Sequence, residues 1–215
     1  MYKTPIISDK LIVRKLATEL IIFLKRYYPY HLLSRMTNLP IPTLNRYARG
    51  AVLPKYSRAI ELYGKLKPLI AKYVRQTVNE GDWTILYSPA TLDILSTVIT
   101  FEMAGRRITK ILAFEEMAPL AVATALKINA PFIIIAQSRN LHHLSWLSID
   151  YRIGGIWLSY FIPKNSLQKN DSILYIDAVM TPIKEDVLTK LEQFMGIAIE
   201  HKLILKNLID EWECK

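Results

Sequence analysis

Beyond the turn-forming residues Asn79-Glu80-Gly81-Asp82, the chain alternates stretches of helical period with short apolar runs rich in β-formers. That alternation restricts the C-terminal part to an α/β fold with a mainly parallel sheet, because parallel strands need crossover helices between them. The spacing predicts helix Pro89 to Ala104, strand Lys110 to Phe114, helix Ala118 to Lys127 and strand Phe132 to Ala136. Further strands are expected at about Gly155 to Phe161 and Ser172 to Ile176, then helix Pro182 to Met195 and a last strand at about Ile197 to Leu205. The segment from Ser138 to Gly154 has no clear period and reads as a loop or a cap over the sheet.

The first eighty residues follow a different rule. Ser8 is a good N-cap for a helix to about Tyr27, with an apolar stripe through Leu16, Leu20 and Phe23 at helical spacing and Pro29 closing it. Short helices are expected from about Tyr30 to Met36 and from about Pro42 to Arg49, separated by Thr37-Asn38-Leu39-Pro40 and stopped by Gly50. A longer helix covers Ser57 to Val78, with Pro68 expected to break or kink it. The reading is therefore an all-α domain over residues 1–80 and an α/β domain over residues 81–215.

Charge follows the same division. Residues 1–80 carry 15 Lys and Arg against 4 Asp and Glu, a net +11, whereas residues 81–215 carry 13 against 15, a net −2. A domain of this size with so large an excess repels itself, and an anionic partner relieves the repulsion. Nucleic acid is the leading candidate, since neutralised phosphates release counterions and give affinity that falls with salt. A solvated basic face is the plain alternative. An acidic membrane surface calls for an amphipathic helix edged with Trp or Phe, and no Trp precedes Trp83.

The stretch from His31 to Gly50 satisfies several demands of a helix-turn-helix together. Leu33, Leu39, Leu44 and Tyr47 can point inward, small Ser34 permits close approach, and Asn38 takes the turn position that needs positive φ. Pro42, Thr43, Asn45, Arg46 and Arg49 then project outward, where a major groove is met. Arg pairs bidentately with guanine, Asn pairs likewise with adenine, and Thr offers a hydroxyl or methyl contact. Lys55 and Arg58 suit phosphate. An ordinary helical bundle with polar residues outside gives the same pattern.

In the C-terminal part, Ser172-Ile-Leu-Tyr-Ile-Asp-Ala-Val-Met-Thr-Pro-Ile-Lys-Glu185 reads as a strand ending in an acid, a short loop and a helix. Asp177 and Thr181 are open to two readings there. One is ligand contact; the other is a strand-end turn with Thr181 as N-cap and Pro182 at the first helical position. Upstream, Ile108-Thr-Lys-Ile-Leu-Ala-Phe-Glu-Glu-Met-Ala-Pro-Leu-Ala121 repeats the strand, loop and helix pattern, with Glu115 in the loop.

The region around Leu44-Asn-Arg-Tyr-Ala-Arg-Gly-Ala-Val-Leu-Pro54 resembles the DNA-binding domain of archaeal regulators that fuse a helix-turn-helix to a phosphoribosyltransferase-like domain. Residues from about Thr84 to Lys206 resemble that second domain, a Rossmann-like type I phosphoribosyltransferase fold. The resemblance implies a strand ending in two acids that hold ribose hydroxyls and a Thr- and Gly-rich loop that cradles a 5′-phosphate. Asp177 matches the first acid and Thr181 a loop threonine, but Ala178 stands where the second acid belongs. Pro182 removes an N–H, Ile183 replaces a glycine, and Glu185 adds negative charge. The diphosphate loop likewise holds no glycine, and Glu115 is carried as a ligand contact within it.

The function expected from these features is a sequence-specific DNA-binding transcriptional regulator, laid out like the bacterial purine repressors. Its catalytically degenerate phosphoribosyltransferase-like domain dimerises and senses a nucleotide-type or phosphoribosyl effector, and two-fold symmetry presents two recognition helices to a palindromic operator. No catalytic residue and no enzymatic activity are expected. The rival reading is an active purine or pyrimidine phosphoribosyltransferase with an accessory basic domain; a third is non-specific chromosome binding. No cofactor is expected. Metal is not expected either, because His142-His143 lacks a third ligand and the single cysteine, Cys214, cannot form an intrachain disulfide or a thiolate zinc site. Apolar runs are far shorter than the roughly 20 residues of a membrane span, and charges at Lys3, Asp9 and Lys10 interrupt any signal-peptide core, so the expected location is the cytoplasm.

Overall fold

The computed structural model describes residues 10–77, 87–138 and 145–213. They fall into two compact units, one spanning Arg107–Lys206 and the other comprising the described residues from Lys10 to Arg106 together with those from Asn207. Ser8, the turn at residues 79–82, the pair His142-His143 and Cys214 lie outside the described residues.

The helical unit is built around α1 (Lys10–Leu24), which buries Val13, Leu16, Ala17, Leu20, Ile21, Phe23 and Leu24. More than one stripe of α1 is apolar, and accordingly it packs against α3 (Ile41–Ala48), α4 (Tyr56–Thr77) and α5 (Pro89–Glu102). Phe23 meets Tyr73 of α4 edge-on, with ring centroids 4.9 Å apart. Helix α2 (Tyr30–Thr37) ends on Asn38, whose φ of 54° is left-handed and whose N–H donates to the Ser34 carbonyl. The Ser34 hydroxyl in turn donates to the Leu39 carbonyl at 2.6 Å, fastening the turn into α3. Leu33 and Leu44 are fully buried, as the inward pattern requires, and Leu39 and Tyr47 are half-buried. Gly50, at φ 69°, follows the end of α3.

Two expectations about this unit are corrected. Helix α4 runs unbroken through Pro68. The missing proline N–H affects only the carbonyl one turn earlier, that of Gly64, and Gly64 is exposed, so water can satisfy it. The division between units also lies later than residue 80. Helix α5 is buried on all sides from Ile94 to Phe101 and belongs with the helical unit. Two of its polar groups find partners there: Thr97 Oγ1 donates to Glu19 Oε2 at 3.2 Å, and Tyr63 OH of α4 donates to Glu102 Oε1 at 2.6 Å.

The α/β unit holds a four-stranded parallel sheet in the order β2-β1-β5-β6, from β1 (Lys110–Phe114), β2 (Phe132–Ile135), β5 (Ile173–Asp177) and β6 (His201–Ile204). Crossover helices α6 (Ala118–Ile128) and α7 (Pro182–Met195) join β1 to β2 and β5 to β6. Every residue of β5 is buried, the mark of a central parallel strand covered on both faces. Leu112, Phe114, Ile135, Tyr175 and Leu188 share one core, where Phe114 meets Tyr160 and Tyr175 edge-on.

The segment expected to be irregular instead forms β3 (Trp146–Ile153), paired antiparallel with β4 (Ile156–Pro163). Gly154 and Gly155 turn the hairpin at φ 53° and 91°, and two positive φ values in a row are what its tight turn demands. Ala136 and Phe161 exchange backbone hydrogen bonds of 3.0 and 2.7 Å, tying β4 to the end of β2. The expected last strand is shorter, because Leu205, Leu208 and Ile209 take helical spacing and start α8 (Leu205–Glu213).

Asn38→Val should destabilise the helical unit by about 1–2 kcal/mol, since a β-branched side chain pays the left-handed penalty in full, whereas Asn38→Gly should stay close to wild type. Urea denaturation followed by helical circular dichroism separates the two; equal midpoints would contradict the turn geometry.

Candidate functional site

In the parallel sheet the chain leaves β1 toward β2 on one side and leaves β5 toward β6 on the other. Neighbouring strands whose connections diverge leave a crevice beyond their carboxyl ends, the usual place for a ligand in open α/β sheets. Here β1 and β5 are those neighbours. At that point the chain places Glu115 and Glu116, in a 3₁₀ turn before α6, and Asp177, Thr181 and Lys184, from the end of β5 to the first turn of α7.

Asp177 is completely buried, and its carboxylate is fully engaged. Oδ1 accepts from the Ala178 N–H at 2.7 Å and from Lys184 Nζ at 2.8 Å, while Oδ2 accepts a short hydrogen bond from Tyr175 OH. Lys184 Nζ also reaches Glu116 Oε1 at 2.6 Å and lies 5.4 Å from the centre of the Phe114 ring. Lys184, on the first turn of α7, thus joins the ends of β1 and β5. Burial alone would lower the Lys184 pKa, but hydrogen bonds and attraction from Asp177 and Glu116 outweigh it and raise the value above its ordinary 10.5. Burial, followed by the neighbouring Asp177 charge, pushes the Tyr175 phenol far up, so it remains a donor.

Asp177, Thr181 and Glu115 thus gather at one end of the sheet. Thr181 Oγ1 accepts from the Lys184 N–H at 3.3 Å as the N-cap of α7, with Pro182 next, the capping geometry anticipated for it. Glu115 is exposed, and its Oε2 accepts from the Gln137 N–H at 3.2 Å, linking the ends of β1 and β2. Lys184, Glu116 and Tyr175 are the residues that sequence reasoning missed. A cation in the first turn of the helix that follows a buried strand-end acid is a readable signal, because such an acid needs a counter-charge.

On the helical unit, Pro42, Arg46, Arg49 and Lys55 are exposed, whereas Thr43, Asn45 and Arg58 are half-buried. Leu44 and Ala48 take the buried side of α3. Arg58 pairs with Glu61 at 2.6 Å, an exposed contact worth about 0–1 kcal/mol, too weak to hold it against another anion. Arg14 Nε donates to the Pro54 carbonyl at 2.6 Å, anchoring the loop that carries Lys55.

A cleft of about 720 Å³ opens at the opposite, amino end of β1 and β2, between Arg107, Lys110, Leu126, Phe132 and Asp171. Arg107, Lys110 and Asp171 give it charged groups of its own, but the fully buried acid and its ammonium partner lie at the other end. Among the described residues no cluster of three or more potential metal ligands occurs, and no helix is long and apolar enough to cross a membrane.

No family model matches the sequence, and neither does any curated protein. Solved structures do. Adenine phosphoribosyltransferase from Rhodothermus marinus superposes with a TM-score of 0.53 at 16% identity, over 63% of this chain and 85% of that one. The enzyme from Thermoanaerobacter pseudethanolicus gives 0.47 at 14% identity, over 59% and 78% of the two chains. That from Giardia lamblia, complexed with 9-deazaadenine, gives 0.46 at 18% identity over 59% and 77%. The Rhodothermus match shows a type I phosphoribosyltransferase-like fold, and at this identity it shows the fold alone. It also corrects one expectation. The Rhodothermus structure with this likeness is an adenine phosphoribosyltransferase, an enzyme, so the expectation that the chain is not an enzyme is set aside.

The buried bridge has an alkaline limit. A lysine whose folded pKa exceeds 10.5 contributes its full stability below pH 10.5 and loses it as pH rises through the raised value. The stability difference between wild type and Lys184→Met should therefore shrink as pH rises above 10.5, as read from urea midpoints at matched pH. A difference that stays level through the alkaline range would contradict it.

Proposed function

We propose that this chain binds double-stranded DNA through a helix-turn-helix made by α2, the Asn38 turn and α3. Its phosphoribosyltransferase-fold unit binds a nucleotide-type or phosphoribosyl ligand in the β1/β5 crevice. On this reading it is a cytoplasmic transcriptional regulator that acts as a homodimer, like the archaeal fusions its N-terminal sequence resembles. The observation that carries the reading is the division of α3: Leu44 and Ala48 are buried, while Pro42, Arg46 and Arg49 are exposed along its other side. Thr43 and Asn45 flank that row, half-buried. Exposed arginines on a short second helix have the chemistry for base edges, Lys55 and Arg58 have the chemistry for phosphates, and the net +11 of residues 1–80 supplies the attraction.

A second reading is favoured by the fold. A phosphoribosyltransferase that acts on a purine or pyrimidine base, carrying a basic helical unit, accounts for the likeness to adenine phosphoribosyltransferases and for an acid at the end of β5. The two readings separate in a pair of assays on the full chain: genome-wide mapping of bound sites, and release of diphosphate from phosphoribosyl diphosphate with a panel of nucleobases. Discrete bound sites support the first reading, and base-dependent turnover supports the second.

If Arg46 reads a base, Arg46→Ala should weaken binding to a mapped site by about 1–3 kcal/mol while leaving the circular dichroism spectrum unchanged. Lys55→Ala should weaken specific and non-specific duplexes alike and reduce the salt dependence. Unchanged affinity in Arg46→Ala would remove that residue from the interface.

A further inference from the structure

Lys184 Nζ carries three protons, and two face carboxylates of different standing. Asp177 is fully buried and held from three directions, by Tyr175, by its neighbouring amide and by Lys184 itself. Glu116 is the opposite case. Its side chain is 49% exposed, it sits in a single 3₁₀ turn, and among the described residues Lys184 is its one partner, at 2.6 Å. A desolvated pair resists exchange because breaking it strands a buried charge; Glu116 is half-exposed while Lys184 is only 17% exposed, so when Glu116 leaves, its carboxylate returns to water and the ammonium keeps Asp177 as its counter-charge. One bond of Lys184 is therefore structural and the other is replaceable, and the replaceable one faces the crevice beyond β1 and β5.

We propose that Glu116 is an internal placeholder whose carboxylate occupies, on Lys184 Nζ, the position taken by the phosphate or diphosphate group of the ligand. The inference rests on the reading of the crevice as a ligand site. Exchange of one anion for another leaves Asp177 neutralised throughout, so the sheet end is not disturbed as the ligand enters. It also assigns the anion contact to a side chain, in a loop where Pro182 supplies no N–H and Ile183 stands in place of a glycine.

Isothermal titration of the full chain with ribose 5-phosphate, diphosphate and D-ribose tests this. Wild type should bind one of the phosphorylated probes and not D-ribose. Glu116→Gln should bind that probe about 1.5- to 5-fold more tightly, because the competing carboxylate is gone. Glu185→Gln removes the same charge from an exposed position one residue along α7 and should tighten binding less. Because Lys184→Met alone strands Asp177, the double variant Asp177→Asn/Lys184→Met is used to remove the anion contact; it should stay folded and lose the phosphorylated probe. Equal or weaker binding by Glu116→Gln would overturn the placeholder, as would equal tightening by Glu185→Gln, which would mark a field effect. Absence of binding by every variant and by wild type would overturn the ligand-site reading and the placeholder with it.

Discussion

A completely buried carboxylate at the end of the central strand is the constraint on which the α/β unit turns. Asp177 lies where an apolar side chain would be easier to accommodate, and an isolated charge there would be prohibitive. The fold answers it with a phenol, an amide and an ammonium, and each answer fixes something else. Tyr175 holds the core face of β5 against Phe114, the Ala178 amide sets the turn out of the strand, and Lys184 fixes the first turn of α7 over the crevice. Removing one partner of such a group is far more disruptive than the pair's net contribution suggests, because the remaining charge has nowhere to go.

The parts of this arrangement that depend on local pattern were legible in the sequence. Strand β1 and helix α7 fall on the expected residues because apolar runs and a Thr-Pro start are local signals. The hairpin β3/β4 was not recognised, although Gly154-Gly155 marks its turn. Ser148, Asp150 and Arg152 do alternate with Leu147, Ile149 and Tyr151, but the polar stretch before them hides the two-residue period in any longer window. Helix α5 was assigned to the wrong unit because its apolar surface says only that it is buried; its partners, α1 and α4, are distant in sequence. At the site, Asp177 and Thr181 were visible as a strand-end acid and a cap. Lys184 carries only the local signal of a cation seven residues beyond that acid, and Glu116 carries none, since its role arises from a pairing between β1 and β5 that no local window contains.

The two units carry separate chemistries. The helical unit keeps its charge outward on α3 and the loop after it, with Leu44 and Ala48 as the inner side. The α/β unit places the buried Asp177 and its ammonium partner at one end of the sheet and a cleft of about 720 Å³, lined by apolar and charged residues, at the other. Cleft volume and charge geometry thus point to opposite ends of the same four strands. We place the working end at the crevice, because diverging crossovers, a buried acid and the Lys184–Glu116 ion pair coincide there, whereas the charged residues of the cleft, Arg107, Lys110 and Asp171, include no buried one.

Backbone chemical-shift mapping by NMR, with ribose 5-phosphate or diphosphate added to the full chain, decides between the two ends. The account predicts perturbations concentrated at residues 114–118 and 177–185. Perturbations concentrated instead at residues 107–110 and 126–132, with the crevice unmoved, would contradict it.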